Sequence, residues 1–164
     1  MKLLIFTEGT IIMHTYAKGN SREEIVRQSR KAINPSLRDW KTYIPIGNSL
    51  NKLQTWKEQG AEILYLTSRT TEHEVAQIKE VLIRNGFPEG QLFFRKPGEH
   101  YGLVAERILP NILIEDDCES IGGKKEMVYT HIKPHLQNKI TLIVVREFEG
   151  IDHLPNDISH LITS

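Results

Sequence analysis

The sequence has one cysteine, Cys118, balanced charge and no long apolar run. A single cysteine excludes an internal disulfide framework and fits a reducing compartment. No segment reaches the ~20 apolar residues that a membrane helix needs. The apolar stretch at 3–6 is too short for the core of a signal peptide. A soluble protein of the cytoplasm is therefore expected. Basic and acidic residues number 21 each, so no bulk field favours nucleic acid or a membrane surface. The seven histidines include no pair at HExxH spacing, and no zinc site is assigned. Repeats, low-complexity tracts and linkers are also missing. What is present is an ordinary globular composition, 39% apolar and 26% charged, over 164 residues. That length supports one domain with a substantial core.

Apolar runs alternate with amphipathic helical patterns. LLIF at 3–6, EILYL at 62–66, QLFF at 91–94, NILI at 111–114 and ITLIVV at 140–145 read as strands. Ser21 with Glu24 forms a capping box and opens a helix over 21–33, with Ile25, Ser29, Ala32 and Ile33 on one face, before Pro35. A second helix over 49–59 aligns Leu50, Leu53 and Trp56, with Gly60 placed to end it. Thr71 with Glu74 opens a third, which turns Val75, Ile78, Val81 and Leu82 inward. Shorter helices are expected over 101–109 and over 127–138, the latter disturbed at Pro134. This order predicts an α/β, three-layer, Rossmann-like fold whose mostly parallel sheet is covered by helices on both faces. Residues 11–48 exceed a plain crossover. They read equally well as a small insertion or lid and as a simple extension of the fold. Trp40 and Tyr43 within them suit either stacking on a ring or covering a core edge.

Open α/β sheets bind ligands at the carboxyl ends of their strands. Those ends carry Phe6-Thr7-Glu8-Gly9-Thr10, Thr67-Ser68-Arg69, Arg95-Lys96-Pro97-Gly98 and Glu115-Asp116-Asp117. A carboxylate turn, hydroxyls, cations and an acidic cluster thus follow one another in chain order. Cations and hydroxyl donors hold the oxygens of a phosphoryl group. Magnesium takes oxygen ligands, usually one or two carboxylates with waters kept.

These stretches resemble the haloacid dehalogenase-like (HAD-like) superfamily of phosphatases and phosphomutases, over residues 3–145. The family's DxDGT motif corresponds to FTEGT at 6–10, its second motif to ILYLTSR ending near Thr67, its lysine to FRKPGEHY at Lys96, and its acidic pair to ILIEDD. The resemblance implies a phosphate site of Thr67, Ser68, Lys96, Gly9 and Thr10. It implies magnesium on Asp116 with Glu115 or Asp117, the inward neighbour depending on a one-residue register. It also places Phe6 where the family has its nucleophilic Asp, and Glu8 at the acid/base position. A phenyl ring forms no acyl phosphate and ligates no metal. Glu8 suits proton transfer but is one methylene longer than Asp, and a displacement of ~1 Å can cost about 100-fold.

Three functions follow as expectations. The first is a catalytically impaired HAD-like domain that binds a small phosphorylated ligand or a protein partner. The second is a magnesium-dependent phosphohydrolase that uses Glu8 and metal-bound water. The third is an interaction module on the same fold. The first is preferred because of Phe6, and magnesium affinity is expected to be weakened.

Overall fold

A computed structural model describes residues 1–31 and 35–162. Its main sheet has five strands in the order β5-β4-β1-β6-β7: β1 (Lys2–Phe6), β4 (Glu62–Leu66), β5 (Leu92–Phe93), β6 (Ile112–Asp116) and β7 (Thr141–Val145). All the pairings are parallel. β1 lies at the centre, with Leu4 opposite Leu64 on one side and Leu113 on the other. Alternate residues of each strand feed two cores, as a sheet buried on both faces requires. Leu3, Ile5, Ile63, Tyr65, Ile112 and Ile114 pack on one face with Trp56 and Ile78. Leu4, Leu64, Leu66 and Leu113 pack on the other with Val104 and Ile140.

The helices follow from their caps and apolar stripes. α1 spans Arg22–Lys31 and is opened by the capping box: Glu24 N–H donates to Ser21 Oγ (3.3 Å) and Ser21 N–H to Glu24 Oε2 (3.0 Å). The expected positions Ala32 and Ile33 lie outside the described residues. α2 (Ser49–Glu58) buries Leu53 and Trp56, α3 (Glu72–Arg84) buries Ile78, Val81 and Leu82, and α4 (Tyr101–Ile108) buries Val104 and Ala105. Among the described residues no helix is long and apolar enough to cross a membrane.

The expected helix over 127–138 is broken. A 3-10 turn at Tyr129–His131 is followed by α5, only Pro134–Gln137, with the proline in its first turn. Lys133, just before it, is extended at ψ 136°, because the proline ring disfavours helical geometry at the preceding residue. Within residues 11–48, β2 (Ile12–Met13) pairs antiparallel with β3 (Ile44–Pro45). The buried Tyr43 joins the first core and donates its hydroxyl to the Leu37 carbonyl (2.9 Å).

The tail lies against α2. Lys52 Nζ donates to the Leu154 carbonyl (2.6 Å), Trp56 Nε1 donates to the Pro155 carbonyl (3.0 Å), and Leu161 is fully buried. Trp56 therefore couples helix, sheet and tail. Trp56→Ala is expected to destabilise the protein by about 3–5 kcal/mol in urea unfolding, the range for truncating a large buried aromatic.

Candidate functional site

The strand ends converge on a cavity of about 480 Å³ whose walls include Phe6, Glu8, Arg69, Arg95, Asp116 and Glu147. The turn after β1 builds its centre. Thr7 N–H donates to the Leu66 carbonyl (2.9 Å), which continues the parallel ladder one residue past the strand. Ile11 and Ile12 then donate to the Thr7 carbonyl (2.9 and 3.1 Å), and Gly9 N–H donates to the Ile12 carbonyl (2.9 Å), so the chain reverses at once. Gly9 has φ +85°, and a Cβ there would sit 2.9 Å from Asp116 Oδ2. Only glycine gives that conformation and that approach without strain.

Phe6 ends β1 half-buried, and its ring meets Tyr101 edge to face with centroids 5.6 Å apart. It brings no polar atom to the strand end. Glu8, two residues on, turns its carboxylate toward the end of β4. Oε1 accepts from Thr67 Oγ1 (2.7 Å) and Ser68 Oγ (3.0 Å), and Arg69 Nε lies 3.2 Å away. Oε2 accepts from Ser68 N–H (3.2 Å) and from the hydroxyl of its neighbour Thr7. The Arg69 guanidinium lies 3.7 Å over the Trp40 ring, a cation–π contact, and Trp40 Nε1 donates to Glu74 Oε1 (3.1 Å). Residues 11–48 thus reach the site through Trp40.

On the other side of the Gly9 turn lies a cluster of acids. Asp116, Asp117 and Glu147 each offer an oxygen within 4.8 Å of the others. Thr10 Oγ1 donates to Asp116 Oδ2 (2.8 Å) and Cys118 N–H to Asp116 Oδ1 (2.9 Å). Glu147 accepts from the Ser120 hydroxyl (2.7 Å) and N–H (2.6 Å), while Asp117 lies 3.6 Å from Arg22. Burial, then the facing Glu147, pushes Asp116 up to about 7; burial likewise raises Glu147. Close, half-desolvated carboxylates with one cation at their edge are an arrangement that a hard divalent ion would relieve.

The register separates neighbours that the sequence left open. Asp116 and Asp117 join the cluster, whereas Glu115, also in the cavity wall, accepts instead from the N–H groups of Val128 (2.6 Å) and Tyr129 (3.0 Å). Two and three residues past β5, Arg95 lines the cavity wall while Lys96 is exposed and outside it. Arg95 stacks over Tyr101 (4.8 Å) and donates to the Glu99 carbonyl (3.1 Å). Sequence reading missed Glu147, which follows β7 by two positions, so extending the strand-end rule to the fifth strand finds it. His14 is 1% exposed, with no hydrogen-bond partner for either ring nitrogen among the described residues. Burial lowers its pKa, which favours the neutral ring. Its place just past the first motif puts it near the site, but its burial without a partner comes from the tertiary packing.

The solved structures most like this chain include the class C acid phosphatase from Bacillus anthracis with tungstate bound: TM-score 0.57, 12% identity, 91% of this chain and 68% of that chain covered. A second structure of that enzyme gives a TM-score of 0.58 at 12% identity, over 91% and 67% of the two chains. The Pnkp1/Rnl/Hen1 RNA repair complex gives 0.52 at 11% identity, over 88% of this chain and 43% of that one. At such identities the likeness is one of fold alone. No protein-family model and no curated protein matches the sequence.

Gly9 is the pivot between the two halves of the site. Gly9→Ala is expected to cost about 1–3 kcal/mol of unfolding free energy, measured in urea, because it combines a disfavoured φ with a clash on Asp116.

Proposed function

We propose that this chain is a HAD-like domain that binds a phosphorylated ligand at its strand ends without aspartyl-phosphate catalysis. The observation that carries this reading is Phe6. It occupies the terminal position of β1, where the resemblance has the nucleophile, and its ring packs on Tyr101. Carbon offers no lone pair for attack on phosphorus, so the two-step route through a covalent carboxylate intermediate lacks its first step. Binding needs only donors and positive charge. The Thr67 and Ser68 hydroxyls, the Ser68 N–H, Arg69 and Arg95 supply both on one wall.

Magnesium fits the acidic wall. Asp116, Asp117 and Glu147 would hold it, since three nearby carboxylate oxygens are hard donors whose mutual repulsion a divalent cation offsets. When bound, the ion would supply positive charge for a ligand phosphate. The alternative of an active hydrolase would have Glu8 move a proton, but with Phe6 at the end of β1 only a metal-bound water could attack phosphorus there.

The purified protein is expected to show no turnover of an aryl phosphate or a panel of phosphometabolites, with or without magnesium. Phe6→Asp should gain measurable magnesium-dependent activity. Wild-type turnover that disappears in Glu8→Gln would overturn the proposal. Magnesium should raise the melting temperature of the wild type by mass action. Glu147→Gln should weaken magnesium binding in calorimetry by at least about 10-fold, the lower end for losing even an outer-shell partner.

A further inference from the structure

We infer that Glu8 is a tethered internal anion. It fills the oxyanion cradle of the site, so that a phosphorylated ligand binds only by displacing it, and the site is thereby tuned to dianionic phosphate monoesters. This rests on the binding reading above and adds its regulation and ligand class.

The groups around Glu8 are those an oxyanion would need. Thr67 Oγ1 and Ser68 Oγ donate to Oε1 at 2.7 and 3.0 Å, Ser68 N–H donates to Oε2 at 3.2 Å, and Arg69 Nε stands 3.2 Å from Oε1. Two hydroxyls, a backbone N–H and a guanidinium recognise an anion by charge and directed hydrogen bonds, and they do not distinguish a carboxylate from a phosphate. The cradle is also held in place. Arg69 NH2 donates to Ser68 Oγ (2.5 Å), and Trp40 backs the guanidinium at 3.7 Å. The Glu8 side chain is only 11% exposed, so the contact is largely shielded from water and screening.

A tethered competitor acts at a high effective concentration, and a free ligand must exceed it. A monoanionic carboxylate or phosphodiester exchanges one charge for one and gains nothing. A monoester dianion brings a second charge, and the cavity holds a cation for it. Arg95 lines the same wall, has no carboxylate within ion-pair distance among the described residues, and its Nε has no hydrogen-bond partner there. Its guanidinium rests on Tyr101 and donates to the Glu99 backbone carbonyl (3.1 Å), so neither neighbour brings it a negative charge. Glu8 in the cradle and an uncompensated Arg95 beside it together select charge number.

Calorimetry on the full chain tests this with phenyl phosphate as the monoester dianion, and dimethyl phosphate and acetate as monoanions. Wild type should bind phenyl phosphate weakly and the monoanions not at all. Glu8→Ala should bind phenyl phosphate about 10- to 100-fold more tightly and should acquire binding of acetate and dimethyl phosphate. Adding Arg69→Ala should abolish the gain. Glu8→Gln keeps the shape without the charge; it should show part of the gain and decides the question if Glu8→Ala does not fold. Equal phenyl phosphate affinity in wild type and both Glu8 variants overturns the internal-anion proposal while leaving the binding reading intact. No binding by any variant overturns both. Wild-type turnover overturns only the claim that catalysis is absent.

Discussion

The site depends on the parallel pairing of β1 with two neighbours at once. Leu3, Leu4 and Ile5 are matched to Ile63, Leu64 and Tyr65 of β4 and to Ile112, Leu113 and Ile114 of β6. Parallel strands point their carboxyl ends the same way, so the residues that leave β1, β4 and β6 meet at one rim. Burial of both sheet faces fixes that register, because a slip of one residue would exchange the two cores.

From that rim the chain builds two walls of opposite character. The β4 end contributes hydroxyls and Arg69, and β5 contributes Arg95. The β6 and β7 ends contribute Asp116, Asp117 and Glu147. The turn at Gly9 lies between them, close enough to Asp116 that a side chain would collide. Glu8 leans to the cationic wall and Thr10 to the acidic one, so adjacent residues of one turn serve opposite halves. Arg69 links this arrangement outward to Trp40, which with His14 and Tyr43 brings residues 11–48 into the cavity wall.

Much of this is legible in the sequence. Strands β1, β4, β6 and β7 come from uninterrupted apolar runs, which need no tertiary context to be read. The capping box at Ser21 forms as its residues dictate, because the hydrogen bonds span only three positions. The segment over 127–138 was not legible in the same way. Its apolar spacing suggested a helix, but Lys133 before Pro134 adopts an extended conformation instead.

The sequence by itself determined the element order, the parallel sheet, and the hydroxyls and acids that follow its strands. It also determined that β1 ends on Phe6, a side chain without a polar atom, because residue type at a strand end is a property of the chain alone. Tertiary structure decided that Asp116 and Asp117, not Glu115, join the acidic cluster, and that Arg95 rather than Lys96 lines the cavity. It also brought in Glu147, which lies 30 positions from its hydrogen-bonding partner Asp117. Finally, it turned Glu8 onto Thr67, Ser68 and Arg69, a contact across about 60 positions that only the pairing of β1 with β4 makes short.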